Sequence, residues 1–189
     1  MRRFLSCMAV LLLALVPAAC SSGGDGGAGG ETNLRINLTD APMMSMRQVN
    51  VTITSVRIHQ SADAAPGAAG WHEIPVTAPM PVDLMRLRGG VLQELCSTQL
   101  AAGHYQQVRL VMMQNAGSGP PYHNSVMTAD GQMHPVDMPG ELKIVHSFNV
   151  AQGALTDLTL DFDAQRSMRQ RGNGSYFMQP VIGASSSVH

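Results

Sequence analysis

Hydrophobic and polar residues alternate with a period of two along most of this chain. Leu34, Ile36 and Leu38 share one side of a strand, and the polar residues between them share the other. Successive side chains of a strand point to opposite faces, so this period indicates strands with one buried face. Further runs of the same kind lie at 104–114, 142–150 and 158–162.

The spacing of these runs predicts the architecture. Turn-forming glycines and prolines separate seven to nine short strands, which is typical of an antiparallel β-sandwich. The parity of the apolar residues changes between Ile53 and Val56, which predicts a β-bulge near Thr54 and Ser55. A helical turn fits only within 83–95, so we predict an all-β fold with little or no helix.

Two segments are predicted with less regular structure. Residues 115–138 are rich in turn formers and are predicted to form a loop-rich end of the sandwich. The last strand is predicted over 176–182, where Pro180 favours an edge position because proline lacks a backbone N–H.

The amino terminus has the layout of a secretory signal. Arg2 and Arg3 precede an apolar stretch that is shorter than the roughly 20 residues of a membrane-spanning helix. Small residues then lead to Cys20. This segment resembles a bacterial lipoprotein signal, although Pro17 stands where that signal usually has a branched apolar residue. The resemblance implies cleavage before Cys20 and multiple acylation of it, whereas ordinary cleavage would give a secreted protein.

The chain is therefore divided into four parts. Residues 1–19 form the signal peptide, 20–32 the lipidated cysteine and a flexible Gly/Ser-rich tether, 33–184 the sandwich, and 185–189 a tail. Ser21 follows the cysteine where inner-membrane retention would favour Asp, so the resemblance implies the outer membrane.

Charge and cysteine content limit the functions further. Removal of Arg2 and Arg3 changes the formal charge from −1 to −3, and no basic run remains, which argues against nucleic acid as a partner. Cys96 is the single cysteine left after Cys7 and Cys20 are set aside, so no internal disulfide is expected. Its apolar surroundings favour a small buried hydrophobe over a nucleophile.

Carboxylates supply one candidate metal site. Asp161 and Asp163 are two residues apart and are predicted on one face of a strand, and Asp40 ends another strand. Converging oxygens of this kind bind Ca²⁺. The alternative is a solvated face in which aspartates accept backbone hydrogen bonds or pair with Arg166.

Methionines supply a second candidate, a copper site. Thioether and imidazole groups bind Cu(I), but no repeated Met or His array is present, and methionine also fills irregular cores. The residues concerned are Met43, Met44, Met46, Met112, Met113, Met133, Met138, His123 and His134.

Two aromatic residues are candidate ligand contacts. Trp71 follows a Gly/Ala-rich loop, where an exposed indole could stack on a sugar ring, or a buried one could plug the sandwich edge. Tyr105 is the second candidate, with the alternative that its hydroxyl ties a loop to the backbone. Fluorescence of Trp71 distinguishes the two interpretations of the indole.

Catalysis is not predicted. The sequence contains no nucleophile elbow, zinc-protease helix or phosphate-binding loop. Glu73 and Asp83 near Trp71 could be imagined as glycosidase carboxylates, but their sequence spacing alone does not support that role.

The order of the sequence motifs resembles a family known as domain of unknown function 4382, whose members are mostly secreted or lipid-anchored prokaryotic proteins. The resemblance implies a β-sandwich related to prealbumin-like modules, which usually serve as binding domains, some of them for carbohydrate. The matching segments are LTDAP at 38–42, VNVTITSVRIH at 49–59, VDLMRL at 82–87, GHYQQVRL at 103–110, ELKIV at 141–145, LTLDFDAQRS at 158–167 and YFMQPVI at 176–182.

We therefore predict a non-catalytic binding module that is anchored to the envelope membrane through Cys20. Its expected ligand is a glycan, an envelope polymer or a partner protein. The alternative is an envelope lipoprotein that binds Ca²⁺ or copper; otherwise no cofactor is expected.

Overall fold

The computed structural model describes residues 32–41, 46–117 and 119–189. These residues form fourteen strands, a 3-10 turn (η1) and one short helix. Their bounds are β1 Leu34–Asp40, β2 Met46–Val51, β3 Ile53–His59, β4 His72–Pro75, β5 Val82–Asp83, η1 Leu84–Arg86, β6 Gln93–Thr98, β7 Gly103–Met112, β8 Ser125–Thr128, β9 Met133–Asp137, β10 Glu141–Val150, β11 Thr156–Phe162, α1 Ala164–Ser167, β12 Met168–Gln170, β13 Tyr176–Met178 and β14 Ile182–Val188.

The all-β sandwich prediction is confirmed. The number of strands in the described residues exceeds the seven to nine expected, because five of them have only two to four residues. Such short pieces contain too few alternating positions to be recognised in a sequence. The predicted helical turn is present as η1, but it does not stand alone as predicted, because α1 forms a second helical turn that Asp163 caps.

The strands form three sheets. The first sheet has the order β14-β11-β1-β6, the second β10-β7-β3-β4, and the third β12-β13-β9-β8-β2-β5. Two pairings, β1 with β11 and β9 with β13, are parallel. The prediction of a wholly antiparallel sandwich is therefore wrong in this respect. Alternation reports which face of a strand is buried and carries no information about strand direction.

One hydrophobic core joins the three sheets. In β1, Leu34, Ile36 and Leu38 are fully buried, and each such side chain stabilises the fold by roughly 1.5–3 kcal/mol. The predicted bulge is present, because the register between β3 and β7 shifts between Ile53 and Ser55. The shift returns Val56 and Ile58 to the core side.

The carboxyl-terminal prediction needs correction. The strand expected over 176–182 is split into β13 and β14 by Pro180, and residues 185–188, expected in a tail, belong to β14. Serines pair as well as any residue through their backbone, and β14 is held by β11 from Ile182 to Val188. Similarly, the loop-rich segment 115–138 contains the β8–β9 hairpin, which pairs with β2.

Candidate functional site

An open cleft of about 550 Å³ lies where the first sheet meets the edge of the third. Its floor is apolar and includes the buried residues Ile53, Leu87 and Leu95. The rim is mostly polar, and ligand pockets commonly combine an apolar floor with a few polar groups. The rim residues include Gln48, Asn50, Thr77, Met80, Arg86, Gln93 and Glu94.

The connection from β4 to β5 forms one wall of this cleft. Its start is fixed by a hydrogen bond from the Val76 backbone N–H to the Thr54 carbonyl oxygen, at 2.9 Å. Ala78 has a φ of 53°, a left-handed conformation that costs a non-glycine residue about 1–2 kcal/mol. Met80 is 70% exposed. Backbone strain is often found at functional sites, which makes this wall a candidate ligand contact.

Asp83 holds the wall in place. Its Oδ1 accepts hydrogen bonds from the backbone N–H of Met85 at 3.1 Å and of Val49 at 3.2 Å. The first bond caps η1 and the second joins the turn to β2. Arg86 lies 3.7 Å from the other carboxylate oxygen. Asp83 therefore serves the scaffold of the cleft.

A network of charged residues occupies the outer face of the second sheet. Glu141 accepts hydrogen bonds from Arg57 at 2.6 Å and from Arg109 at 2.7 Å. Although burial favours the neutral acid, these hydrogen bonds hold the pKa of Glu141 below its ordinary value. Arg109 also donates to the Ala64 carbonyl oxygen at 3.2 Å, and Gln107 donates to that oxygen at 3.3 Å. The network thus ties the loop after β3 to the sheet.

Trp71 lies beside this network and is partly buried. Its Nε1–H donates to the Ala65 carbonyl oxygen at 2.9 Å, and the ring centroid lies 4.7 Å from the Arg57 guanidinium and 5.2 Å from that of Arg109. The His59 ring is 5.0 Å away. The indole is thus engaged by its own chain, which supports the edge-plug interpretation; sugar stacking remains a prediction.

Tyr105 has the geometry of a corner residue. Its side chain is fully buried, and its hydroxyl donates to the Ala101 carbonyl oxygen at 2.8 Å. The ring also stacks on Phe148 with centroids 5.7 Å apart. This arrangement supports the interpretation that Tyr105 ties a loop to the backbone. A direct ligand contact through Tyr105 stays a prediction.

The three predicted metal-binding aspartates have different surroundings. Asp40 is 3% exposed; its Oδ1 accepts from the Ala164 N–H at 3.0 Å, whereas its Oδ2 is buried without a hydrogen-bond partner. Burial raises the pKa of Asp40 to about 6, and the charges of Asp161 and Asp163 also raise it. Asp163 lies beyond β11 and caps α1 through the Arg166 N–H, at 2.8 Å. The prediction that Asp161 and Asp163 share one face of a strand is therefore wrong.

The geometry offers little for a metal ion. Across 32–41, 46–117 and 119–189, no group of three or more His, Cys, Asp or Glu side chains is arranged to hold one. Met112 and Met138 pack in the hydrophobic core, while Met133 is exposed. Met43 and Met44 lie outside the described residues, as does Cys20. Calcium and copper binding both stay predictions.

Cys96 is buried in β6, and burial raises the pKa of its thiol to about 12. A thiol with so high a pKa is protonated at neutral pH and unreactive. This agrees with its interpretation as a small buried hydrophobe.

Sequence reasoning missed the cleft. Its rim residues come from distant parts of the chain, and the two that lie in family segments, Asn50 and Arg86, belong to no motif with an assigned role. One local signal was available: Met80 lies between two prolines in a short loop, where an apolar side chain has no strand in which to be buried.

The described residues thus define a β-sandwich with an open cleft at a sheet edge. A family model described as "Domain of unknown function (DUF4382)" matches residues 31–180, and the chain belongs to this family. The searches of curated proteins and of solved structures found no match. Among the described residues, no helix has the length and apolar character needed to cross a membrane.

Proposed function

We propose that this protein is a lipid-anchored, non-catalytic binding module of the cell envelope, and that its ligand occupies the cleft. The candidate ligands are a glycan, an envelope polymer or a segment of a partner protein. The observation that carries the proposal is the cleft itself, in which a mostly polar rim surrounds a floor of largely buried apolar residues. Its volume is within the range of about 300–1,000 Å³ that is usual for ligand pockets.

The surroundings of Glu73 and Asp83 give no support to the glycosidase role. A general acid or base needs a carboxylate free to exchange a proton with a substrate. Asp83 is instead engaged by two backbone N–H groups, and Glu73 accepts a hydrogen bond from the Ser55 hydroxyl at 2.7 Å. The two residues raised as glycosidase candidates therefore have structural partners.

Binding in the cleft can be tested with the full mature chain. Immobilised glycans and purified envelope proteins would be screened, and each ligand found would be measured again with Met80→Ala and Thr77→Trp. Both variants should weaken binding, because one removes a contact and the other obstructs the mouth. Met133→Ala, at an exposed methionine on β9, is the matched control. If ligands bind equally well to all of these variants, the cleft is not the binding site.

Anchoring through Cys20 is the second part of the proposal and is tested separately. Acyl chains contribute about 0.8 kcal/mol for each buried CH₂, and two or more chains give stable attachment. Cys20→Ala should move the protein from the membrane fraction to the soluble fraction, and the wild-type protein should fractionate with the outer membrane. A Cys20→Ala protein that remains in the membrane fraction would contradict the anchor.

Calcium binding is the second candidate function, and one observation favours it. Asp40 has a buried oxygen without a partner, and the charges of Asp161 and Asp163 act on the same carboxyl group. A cation would relieve this repulsion. Millimolar Ca²⁺ should then raise the melting temperature of the wild-type protein and leave Asp40→Asn unchanged. An unchanged wild-type melting temperature would end this idea.

A further inference from the structure

We propose that the cleft takes an extended peptide segment of a partner protein, which adds as a strand to the amino-terminal half of β6. This inference rests on the proposed function and names the ligand class. Four features carry it: the open edge of β6, the apolar floor, the exposed apolar residues around the cleft, and an unpaired carboxylate.

The first feature is the strand edge. Within the described residues β6 pairs only with β1, and it ends the first sheet. β4 contacts β6 but is not paired with it. Gln93, Glu94 and Leu95 line the cleft, so the amino-terminal half of the strand borders open space. An edge strand presents unpaired N–H and C=O groups that an added strand can bind.

Most of the other edges of the described sheets have features that hinder the addition of a strand. Natural proteins protect edges with short strands, lysine, proline or bulges. β5 and β12 have two and three residues, and β4 has four and ends in Pro75. β10 contains Lys143 and a register shift after Val145, and it contacts β14. β6 has six residues without proline or lysine, although its register against β1 shifts at Leu95. β14, the other edge of the first sheet, has seven residues and contacts β10. The edge of β6 is chosen because it borders the cleft, which β14 does not line.

The second and third features concern apolar side chains. Ile53, Leu87 and Leu95 in the floor are largely buried, so they offer an aliphatic side chain of the segment only a small apolar contact. Met80 on the rim is 70% exposed, and Val91 and Leu92 immediately before β6 are 50% and 54% exposed. A strand that covers them would remove apolar surface from water.

The chemistry of the rim favours a peptide over a sugar. None of the described residues that line the cleft is aromatic, so no ring is available for a sugar to stack on. Gln48, Asn50 and Gln93 have amide side chains, which both donate and accept hydrogen bonds. The Asn50 and Gln93 amide nitrogens each already donate one bond within the protein, to the Ser125 hydroxyl and the Glu94 carbonyl oxygen, and each keeps a second N–H and a carbonyl oxygen. These groups match a peptide backbone, which also presents donors and acceptors in alternation.

The fourth feature is charge. Glu94 is exposed and forms no ion pair within the described residues. The charge of Glu94 acts on the Arg35 guanidinium. That guanidinium, however, donates hydrogen bonds to both carboxylate oxygens of Asp157, at 2.6 and 2.7 Å. Glu94 is thus available to a cation, and the segment should include a Lys or Arg beside its aliphatic residues.

The experiment uses a phage-displayed library of octapeptides selected against the full mature chain. The selected peptides should have aliphatic residues at alternating positions and a Lys or Arg. Glu94→Lys should weaken a selected peptide roughly tenfold, and replacing the basic residue of the peptide by Glu should recover binding to this variant. Asp63→Lys, at an exposed aspartate away from the cleft, is the matched charge-reversal control and should change nothing.

Backbone readouts separate strand addition from other modes of binding. Bound peptide should slow hydrogen exchange of backbone amides within 91–95. N-methylation of single peptide amides should abolish binding at every second position, because alternate amides face β6. Loss of binding without this period, or with unchanged exchange of β6, would overturn strand addition.

The remaining outcomes tell this inference apart from the proposed function. If glycans bind the cleft in the Met80→Ala test and no peptide is selected, the function stands and the peptide proposal fails. If the protein forms a dimer that Glu94→Lys dissociates, and selected peptides do not compete with it, the occupant is a second copy and the peptide proposal also fails. If no ligand of any class depends on the cleft, both fail.

Discussion

Glu141 and Glu94 are carboxylates near the starts of two edge strands, yet their surroundings differ completely. Glu141 on β10 binds two guanidinium groups, and the loop after β3 and Trp71 lie over the same network. Glu94 on β6 forms no ion pair within the described part of the chain and borders an open cleft. The same residue type can thus have all its partners within the protein, as Glu141 does, or remain available to a ligand, as Glu94 does.

The comparison also separates stability from binding. Polar groups that are satisfied inside the protein contribute to stability, and their loss should destabilise the fold. Polar groups at an open rim exchange hydrogen bonds with water, so their loss should matter only when a ligand is present. Variants in the charged network should therefore change the free energy of unfolding, whereas variants at the cleft rim should change the affinity for a ligand.

The largest effect is expected for Glu141→Ala. It leaves the guanidinium groups of Arg57 and Arg109 without their carboxylate, and it should lower the free energy of unfolding by about 2–3 kcal/mol. Urea denaturation measures this value. Asp137→Ala removes the carboxylate of a more exposed pair with Arg171 and should cost less than about 1 kcal/mol. Equal losses in the two variants would contradict a special role for the buried network.

Asp40 extends the comparison to an unpartnered oxygen inside the core. Folding raises its pKa from 3.8 to about 6, so the folded state binds the proton more tightly than the unfolded state. This contribution to the free energy of unfolding is complete below the unfolded pKa and is lost as pH rises through about 6. With allowance for solvent screening it amounts to about 2 kcal/mol.

Denaturation curves between pH 4 and 8 measure this contribution of Asp40. Asp40→Asn should flatten the dependence over that interval, because the amide does not titrate. A variant that keeps the slope of the wild-type protein would show that other groups produce it.

A smaller effect is expected for Trp71→Ala. The substitution removes the hydrogen bond to Ala65 and the contacts with Arg57 and Arg109, which should lower the free energy of unfolding by about 1–2 kcal/mol. Thermal denaturation measures it. Unchanged stability together with weaker binding to a glycan would instead support the stacking role of the indole.

The smallest effect on stability is expected for Met80→Ser in the cleft. The side chain is mostly exposed, so the free energy of unfolding should change by less than about 0.5 kcal/mol. The same variant should weaken whatever ligand the cleft binds. A large loss of stability would show that Met80 supports the fold and would remove it from the proposed binding surface.

The sequence predicted those features that depend on burial along a single strand. The alternation at Leu34, Ile36 and Leu38 and the phase change near Ser55 both reflect which side chains meet the core, and both predictions are confirmed. The parallel pairing of β1 and the serine-rich β14 depend on backbone pairing, which side-chain periodicity does not record.

The cleft could not have been predicted for a related reason. Gln48, Met80 and Glu94 become neighbours only when two sheets and a loop come together. Trp71 and the aspartates attracted attention because their chemistry is conspicuous in any sequence. Their roles depend on partners such as Ala65 and Ala164, which no motif reveals.

The pairing of β1 has a consequence for how the chain acquires its fold. This strand comes first among the described strands, yet its parallel neighbour β11 lies about 120 residues later, and Arg35 binds Asp157 across that distance. Such a high contact order makes folding slow, because a long loop must close before the contact is gained. The first sheet cannot be completed until nearly the whole chain is available, so a chain truncated before β11 would expose one side of β1 as an aggregation-prone edge.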